Sequence, residues 1–487
     1  MRRPLDMTAC CNTPRGTGNR PGTVLAVTIV VVGLAAMTSV TLLFRSRAEI
    51  SASSAGQKSQ QAYAAAMSGL HRAISVLSDS PGNIQTWYDN PDLFYNQVVL
   101  EDGGETWYFT VYAPNPDDKT TVRYGVIDES GKININVANE QTLLGLPGMD
   151  QELVDCLLDW RDRDDEPRSA GAEQEYYSTL RPIAYRVKNS QLTTLEELML
   201  VKGFNASVVY GEDANLNGIL DANEDDTTES FPIDDGDGEL NRGLMGMLTT
   251  VNYEFDVDNE GNDRININGG PEDMELLREI GLSAETVQFI ELYRKEGNGF
   301  SHPAELLEME YTLKQDHEED PQLKKGLIIF SQVGEEQLST VLDKLTILPT
   351  GGGRKIANPG LVNVNTAGVK VLAALPGIDE NLARQIVSKR GSLDESAEGT
   401  PAWLYTEGIL DAQQFLALVP RLTGRGFQFR IRCVGFAHPS GGFRVLEAVV
   451  DRASGVPIIV YIRDITRLGL PMAMDVSAEI QTVGGGG

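Results

Sequence analysis

Oxygen-bearing side chains recur at fixed intervals in residues 213–224, and their spacing suits a hard metal ion. A twelve-residue calcium loop takes its ligands from positions one, three, five, seven, nine and twelve and needs glycine at the sharp turn at six. Gly218 stands at position six. The candidate ligands in this register are Asp213, Asn215, Asn217, the backbone carbonyl of Ile219, Asp221 and Glu224. The sequence therefore predicts calcium as a cofactor, and the alternative is a solvated acidic loop.

Other acidic segments fit the calcium pattern less well. Residues 256–261 match the first six positions of the calcium loop. Arg264 and Ile267 fill positions nine and twelve, so we predict no complete loop there. Residues 234–239 are out of register and are expected at most to lend oxygens to a second ion. A further acidic group spans residues 162–173, with the carboxylates of Asp162, Asp164, Asp165 and Glu173. Carboxylates two residues apart could share a cation, but a solvated or arginine-paired loop fits this group equally well.

The composition excludes several classes of function. There are 70 acidic residues against 41 basic ones, a formal net charge of −29 and a pI near 4.5. Such a chain repels nucleic acid, whose binding needs basic side chains on phosphates, so we predict no nucleic-acid partner. The sequence has no GxSxG elbow and no GxxxxGK[ST] loop, and we predict that the protein is not an enzyme. Four cysteines exclude a disulfide scaffold, and whether Cys156 and Cys433 bond to each other stays open.

An apolar segment near the N-terminus is long enough to cross a membrane. Residues 23–44 carry no charge and would span about 33 Å as a helix, which is one bilayer core. Four arginines precede the segment, at positions 2, 3, 15 and 20, and favour a cytoplasmic N-terminus. Apolar residues continue at every third or fourth position up to Leu77, so one helix is predicted over residues 23–77. A plain signal anchor and a cleaved signal peptide are the alternatives.

Strand patterns at both ends of the chain enclose a long interior of mostly helical pattern. Alternating apolar residues predict strands at residues 107–111 and 122–126, and again at 427–434, 443–450 and 457–462. The economical explanation is one α/β domain interrupted by a long insertion. The predicted class is therefore α+β: a transmembrane helix that continues into an α/β domain with an antiparallel sheet, interrupted by a large, mainly α-helical insertion.

The insertion contains three copies of one sequence pattern, which is a short Asn-x-Asn strand, a helix, a glycine turn and a second helix. The Asn-x-Asn pairs are Asn134 and Asn136, Asn266 and Asn268, and Asn363 and Asn365, and the second helices end near Arg161, Arg294 and Arg390. This arrangement resembles the helix-hairpin-helix and SAM-like modules, in which the turn usually holds DNA phosphate. Asp150 and Asp379 stand where that family has its second glycine. A carboxylate there repels phosphate, so we interpret the copies as packing modules.

An ordered set of motifs resembles the minor pseudopilin K family of the type II secretion system, also called general secretion pathway protein K. The set comprises the apolar N-terminal helix, the Asn-x-Asn strand, D-W-R-D-R-D at residues 159–164, G-A-E with a later tyrosine at 171–177, Lys188-Asn189, and L-E-E-L-M-L-V-K-G at 195–203. The third Asn-x-Asn copy matches the family's second helical subdomain. The resemblance covers about residues 20–465. The middle copy, around residues 256–340, departs from the family pattern and looks like an extra subdomain.

The resemblance implies a structural component of protein export across the outer membrane, placed at the tip of the pseudopilus. The expected partners are the minor pseudopilins I and J, the rest of the pseudopilus, the membrane and the prepilin peptidase. The expected location is the inner membrane, with a single span and the bulk of the chain in the periplasm. Peptidase cleavage is expected between Gly22 and Thr23, which makes Val27 the fifth mature residue, where most pseudopilins carry glutamate. The alternatives are a calcium-dependent membrane-anchored binding module and a helix-hairpin-helix DNA-binding protein.

The predicted boundaries follow from these patterns. The N-terminal part consists of a cleaved cytoplasmic leader (1–22), a transmembrane helix (23–44) and the pseudopilin helix with the first strands (45–127). The insertion consists of a first helical repeat (128–210), the acidic calcium-loop segment (211–255), a second, extra repeat (256–345) and a third repeat (346–425). The returning strands occupy residues 426–470, and a flexible tail is expected over 471–487.

Overall fold

A computed structural model of the chain describes residues 21–80, 82–116, 121–317, 321–349 and 356–470. Residues 1–20 of the expected leader and the expected tail at 471–487 therefore lie outside the described residues. Of the expected cleavage pair, Gly22 and Thr23, the structure describes the helical backbone and not the side chains.

The first part of the chain is one long helix followed by short helices and strands. Its elements are α1 (Pro21–Asp79), α2 (Ile84–Trp87), α3 (Pro91–Phe94), β1 (Gln97–Asp102), β2 (Glu105–Pro114), β3 (Val122–Arg123) and β4 (Ile127–Asp128). The single helix predicted over residues 23–77 is confirmed. Among the described helices, α1 alone is long and apolar enough to cross a membrane, with a mean hydropathy of 2.3 over an 18-residue window.

The inserted segment is built of short elements. The first repeat contains β5 (Ile133–Asn134), α4 (Glu140–Leu144), α5 (Gln151–Arg161), α6 (Gln174–Thr179) and α7 (Ala206–Tyr210), and the acidic segment after it contains β6 (Leu248–Thr249). The middle repeat contains β7 (Tyr253–Phe255), β8 (Ile265–Asn266), α8 (Pro271–Leu276), α9 (Ala284–Lys295), β9 (Glu310–Thr312), β10 (Ile328–Phe330), α10 (Glu335–Lys344), β11 (Leu345–Thr346) and β12 (Ala357–Pro359). The third repeat contains β13 (Val362–Asn363), α11 (Val369–Ala373), α12 (Glu380–Arg390), α13 (Glu395–Glu398), α14 (Trp403–Thr406), α15 (Ala412–Leu418) and β14 (Leu422–Thr423). Long irregular segments join these elements, so the insertion is less helical than the sequence pattern suggests.

The chain returns to its first sheet after the insertion. The last strands are β15 (Gln428–His438), β16 (Phe443–Asp451) and β17 (Ile458–Asp464). The sheet has the order β1-β2-β15-β16-β17, with β3 beside β2 and β4 beside β15, and all of these pairs are antiparallel. Because β2 precedes the insertion and β15 follows it, the insertion begins and ends at neighbouring strands. The predicted antiparallel sheet and its interruption are therefore confirmed.

Two details of the sheet differ from the prediction. β1 forms a hairpin with β2 that the sequence analysis missed. The strand expected at residues 122–126 is instead split into β3 and β4. Gly125 lies between them against the backbone carbonyl oxygens of Trp87 and Tyr88, where a side chain would have no room. The chain bends at this point because β3 pairs with β2 and β4 pairs with β15.

The part of α1 after residue 60 packs on one face of the sheet through small side chains. Ala62 and Ala65 contact Trp107 and Ala437, while Ala66 and Ala73 join the core that contains Phe109, Val111, Cys433 and Leu446. Two glycines allow the close approach. A Cβ at Gly435 would lie 2.2 Å from the carbonyl oxygen of Ala62, and one at Gly69 would lie 2.4 Å from the Sγ of Cys433.

A buried charge network joins the start of the insertion to the sheet. Arg430 donates from Nε to Glu129 Oε1 at 2.7 Å and from Nη1 to Glu447 Oε1 at 2.9 Å, and Arg432 Nε donates to Glu447 Oε2 at 2.8 Å. Burial raises the pKa of Glu129, but Arg430 and Lys132 outweigh it and lower that pKa to about 2. Burial also opposes the shift at Glu447, whose pKa the arginines hold well below its usual range. The network therefore stays ionised and connects β15, β16 and residue 129.

The three sequence copies share one local structure. In each copy the first asparagine accepts a hydrogen bond at its side-chain oxygen from the backbone N–H of the second, in the pairs Asn134–Asn136, Asn266–Asn268 and Asn363–Asn365. Each Asn-x-Asn strand pairs in parallel with a later Leu-Thr strand, namely β5 with β6, β8 with β11, and β13 with β14. Arg161, Arg294 and Arg390 donate to backbone carbonyls within or just after the Asn-x-Asn segment of their own copy. The assignment of the copies to the helix-hairpin-helix or SAM-like class stays a prediction.

The middle repeat forms a core of its own. One hydrophobic cluster joins buried residues of the first and third repeats, such as Leu143 and Trp403, and also takes in four residues of the middle repeat, namely Ala304, Leu307, Leu338 and Leu342. A separate cluster, with Ile267 and Phe289 among its members, lies within the middle repeat. The middle repeat leaves and rejoins the chain through the antiparallel pair β7 and β12. It is therefore an inserted lobe within the insertion.

Candidate functional site

Residues 213–224 fold into a closed loop whose polar side chains converge. Asp213 Oδ2 accepts a hydrogen bond from the backbone N–H of Gly218 at 3.0 Å, which closes the first half of the loop. Leu216 and Gly218 have positive φ angles of 58° and 80°, and these two left-handed residues turn the chain sharply. In the second half, Glu224 Oε1 accepts from the backbone N–H of Ala214 at 3.0 Å. The last predicted ligand thus reaches back beside the first one.

The remaining predicted ligands lie inside this loop. Asp221 Oδ2 accepts from the side-chain amides of Asn215 at 2.7 Å and of Asn217 at 2.9 Å. Asn217 Oδ1 accepts from the backbone N–H of Ile219, and Glu224 Oε2 accepts from that of Asp221. The structure therefore brings all six sequence-predicted positions to one loop. The carboxamide oxygens of Asn215 and Asn217 each accept one backbone N–H, and each retains a second lone pair to offer a cation.

The carboxylate of Asp213 has an oxygen without a hydrogen-bond partner. Asp213 is 6% exposed and its Oδ1 is buried and unpaired, and Glu224 is 1% exposed. Burial raises the pKa of both carboxyl groups above their usual values. A buried carboxylate is costly unless it is paired or binds a metal. The donor set is oxygen only, and it suits calcium.

The acidic segment closes on itself and rests on the sheet. The backbones of Glu212 and Asn241 pair at its base through a bond of 2.7 Å. Arg432 of β15 donates to the carbonyl oxygen of Leu216 at 3.2 Å, and Arg242 donates to that of Asn115 at 2.7 Å. A Cβ at Gly218 would lie 2.5 Å from Pro114 of β2. The sequence analysis missed these anchors, because no local pattern relates β2 and β15 to the loop.

In two of the other acidic segments, a central carboxylate is satisfied by groups of the protein itself. Both oxygens of Asp234 accept backbone N–H groups, from Asp226, Thr227 and Gly236. Asp258 forms an ion pair of 2.8 Å with Lys344 and accepts the backbone N–H of Asn262. These two segments therefore have less need of a metal than residues 213–224.

Two further residue sets from the sequence analysis have clear positions. Asp150 and Asp379 are the N-caps of α5 and α12, and their carboxylates accept the backbone N–H groups of Leu153 and Leu382. The N–H groups that would hold a phosphate at those turns therefore already have an anionic partner. Cys156 and Cys433 are both free and buried, in different hydrophobic clusters.

Three comparisons relate the chain to known proteins. A family model described as type II secretion system protein K matches residues 128–210. The type II secretion system protein K of Pseudomonas aeruginosa PAO1 is 27% identical over 243 residues, which cover 45% of this chain and 70% of that one. A solved structure, the GspK-GspI-GspJ complex of the enterotoxigenic Escherichia coli type 2 secretion system, aligns over 85% of this chain and 98% of its own chain. That alignment has 11% identity and a TM-score of 0.38.

The fold has an apolar N-terminal helix, an antiparallel sheet and a large insertion, which is the architecture that the resemblance to pseudopilins implies. The chain is similar in sequence to the type II secretion system protein K family. This is a family of membrane-anchored minor pseudopilins with a structural role in secretion.

Proposed function

We propose that this protein is a structural, non-enzymatic minor pseudopilin that occupies the tip of the pseudopilus, in one copy per filament. The observation that carries the proposal is the insertion between neighbouring strands of the pseudopilin sheet. About 300 compact residues have a radius of gyration near 19 Å and a diameter of roughly 50 Å. Packed helices lie about 8–10 Å apart at contact. A lobe of that size on every subunit of a tightly packed shaft would clash, and only the tip leaves one side free.

The apolar segment of α1 supports the same position. Most pseudopilins of the family carry a buried glutamate as the fifth mature residue, and here that residue is Val27. A carboxylate in lipid is costly unless it finds a cationic partner. In the family that partner is expected to be the N-terminus of the subunit above. A subunit with valine at this position needs no cationic partner, as expected of a subunit that has no other subunit above it.

We infer that the partners are the I and J minor pseudopilins and that they contact the exposed face of α1. Ala62 and Leu70 are fully buried in this chain, so they are unsuitable for reaching a partner. Ala64 and Ser75 lie on the exposed side of the same helix. Partner contacts along the second half of α1 therefore use this side.

Cysteine crosslinking tests both the partners and the copy number. Ala64→Cys and Ser75→Cys are suitable because the described native cysteines, Cys156 and Cys433, are buried. In membranes with a complete secretion system, we expect each variant to form one discrete crosslinked species with another minor pseudopilin. Ser392→Cys, exposed in the third repeat, is the matched control and should stay uncrosslinked. A dimer of this protein with itself as the main crosslinked species would contradict the tip position.

The loop of residues 213–224 is proposed to bind calcium as a structural cofactor. The convergent oxygens, the unpaired Asp213 Oδ1 and the buried Glu224 support this. Extracellular calcium modules bind with dissociation constants of about 10⁻⁴–10⁻³ M, and such an affinity suffices where calcium is plentiful. At 100 times its dissociation constant, the ion adds about 2.7 kcal/mol to the free energy of unfolding. The ion would thereby hold the insertion's acidic segment in its folded form.

Processing and location follow the family. The prepilin peptidase is proposed to cut between Gly22 and Thr23 and to leave the chain anchored in the inner membrane by residues 23–44, with the rest in the periplasm. This cut separates the pseudopilin from a calcium-dependent binding module outside a secretion machine, because a module of that kind is not expected to be a substrate of that peptidase. A helix-hairpin-helix DNA-binding role is disfavoured by the capping carboxylates of Asp150 and Asp379.

A further inference from the structure

The last strand of the sheet, β17, has an open edge covered with apolar side chains. It pairs with β16 on one side and ends the strand order β1-β2-β15-β16-β17. Five consecutive residues along it are between 38% and 60% exposed, namely Ile458, Ile459, Val460, Tyr461 and Ile462. Single exposed apolar residues are ordinary, but an uncharged apolar run at the edge of a sheet invites pairing with another strand.

The backbone of β17 also has groups that face away from β16. The backbone N–H of Ile465 donates to the carbonyl oxygen of Val445 at 2.9 Å. Hydrogen-bonded positions alternate in an antiparallel pair, so every second residue counted back from Ile465 bonds to β16. Asp464 and Ile462 therefore present their N–H and C=O groups at the open edge. The alternation holds as far back as the register shift at Val460.

The core beneath α1 reaches this edge. Leu446 and Val450 of β16 belong to the hydrophobic cluster that α1 covers, and Ala448 lies between them on the same face. Ile462 is directly opposite Ala448, so its side chain continues that face at the edge of the sheet. The other face is charged here, because Arg463 donates to Glu447. An added strand would thus need apolar side chains on one face and polar ones on the other.

The chain turns immediately after β17. The backbone N–H of Leu468 donates to the carbonyl oxygen of Ile465 at 2.9 Å, and that of Gly469 donates to Thr466 at 3.1 Å. Gly469 has a φ of 94°, which glycine adopts without the steric cost of a side chain. Bonds between residues three apart bend the chain back. Residues after Leu470, the last described residue, therefore continue from a turn that directly follows β17.

Residues 474–481 lie outside the described residues, but their sequence has the pattern that the edge requires. They read Met-Asp-Val-Ser-Ala-Glu-Ile-Gln, with apolar or small side chains at the even-numbered positions and polar ones at the odd-numbered positions. Strict alternation of this kind is typical of a strand with one buried and one solvated face. At about 3.4 Å per residue the segment would extend about 27 Å, which is enough to cover β17.

We propose that residues 474–481 pair with the open edge of β17 as an antiparallel strand of the same chain, with their apolar side on the face that α1 covers. Residues 471–473 join the segment to Leu470 and reach up to about 10 Å, whereas neighbouring strands are about 4.8 Å apart. The opposite edge, β1, is four strand spacings from β17, or roughly 19 Å. So short a linker gives the segment an effective concentration of about millimolar, which favours it over a second copy. This strand replaces, for these residues, the flexible tail that the sequence analysis expects.

Disulfide trapping in the full-length protein in detergent tests the pairing. Ile462→Cys is combined with cysteine at each position from 474 to 481 in turn, in a background where Cys10 and Cys11 are serine. Directly opposite side chains in an antiparallel pair have Cβ atoms about 4.5–5.5 Å apart. We therefore expect fast oxidation at one or two even-numbered positions and slow oxidation at the odd-numbered ones. Leu100→Cys, which is 48% exposed on β1, is the matched control and should link to none of them.

Two outcomes of the trapping would overturn the proposal. Equal linking at even-numbered and odd-numbered positions would show a segment without a fixed face. A disulfide between two copies through Ile462→Cys, as the main product, would show that a second copy covers the edge.

Hydrogen–deuterium exchange tests the same pairing without new cysteines. In a chain that ends at Leu470, the outward amides of Ile462 and Asp464 lose their partners. We expect the peptide that covers β17 to contain amides that exchange at least about tenfold faster in the shortened chain than in the full chain. The peptide that covers β1 should exchange equally in both chains. Equal exchange of β17 in both chains would overturn the proposal.

A pair of matched variants separates the pairing from a mere effect of chain length. Val476→Asp/Ile480→Asp places two charges on the apolar side of the segment and should expose β17 as the shortening does. Ser477→Asp/Gln481→Asp adds the same charges to the polar side and should leave the protection of β17 unchanged. The same exchange in both variants would contradict the assigned face.

Discussion

The contact between α1 and the sheet should be intolerant of a single added methyl group at Gly435. A Cβ built at this position lies 2.2 Å from the carbonyl oxygen of Ala62 and 2.3 Å from the backbone nitrogen of Ala66. Both atoms belong to the backbone of a helix, so neither can rotate away. Real Cβ atoms keep more than about 3 Å from such neighbours, and α1 would have to move from the sheet by about 1 Å.

The expected cost follows from what that movement breaks. A radial gap of 0.5–1 Å forfeits a quarter to a half of each dispersion contact that it opens. The contacts at risk are those of Ala62, Ala65 and Ala66 with the sheet. Overpacking of a core typically costs about 1–3 kcal/mol. Because backbone atoms meet the new methyl group, we expect Gly435→Ala to lower the free energy of unfolding by about 3 kcal/mol.

Urea unfolding of a fragment that starts near residue 46 measures this cost. Trp87 and Trp107 lie in the cores next to α1, so their fluorescence reports the contact. Gly391→Ala is the matched control, because the φ of −66° at Gly391 suits alanine. A Cβ built there would lie 4.0 Å from its nearest neighbour, the carbonyl oxygen of Ser388. The control should be neutral or more stable by up to about 1 kcal/mol. A Gly435→Ala variant as stable as the wild type would refute the close approach of α1 to β15.

Four further outcomes are expected. Glu224→Gln should lose most of the calcium-dependent stability, about 2.7 kcal/mol at 100 times the dissociation constant, and an EDTA-insensitive melting temperature in the wild type would contradict the loop. Glu447→Gln should lower the free energy of unfolding in urea by about 3–5 kcal/mol, because it leaves buried arginines unpaired. Loss of the exposed ion pair between Arg384 and Glu380 should lower it by less than about 1 kcal/mol. The pKa of Glu129 is lowered to about 2 in the folded state, so its stabilisation is complete above its unfolded pKa of about 4.3 and should disappear as the pH falls from about 5 to 2. In a host with the prepilin peptidase, mass spectrometry should find a mature N-terminus at Thr23, and an intact leader would count against processing.

Local patterns in the sequence determined much of this protein. The helix α1, the three Asn-x-Asn repeats and the convergence of residues 213–224 each depend on residues within about a dozen positions of one another. Such spacing is set by the backbone itself, so it can be read without knowing the rest of the fold. The returning strands were also predictable from their apolar and β-branched residues, although β15 and β16 are buried along most of their length instead of on one face.

Only the tertiary structure decided which distant segments meet. Glu129 and Arg430 are 301 positions apart, and their ion pair exists because β15 returns beside β4 after the whole insertion. The split of the strand at Gly125 likewise depends on two different partners for β3 and β4. The burial of Glu173 beside Asp162 and Asp164 follows from how an irregular segment folds between two helices. No periodicity encodes that path, because it depends on which long-range contacts best satisfy buried charges and backbone groups together.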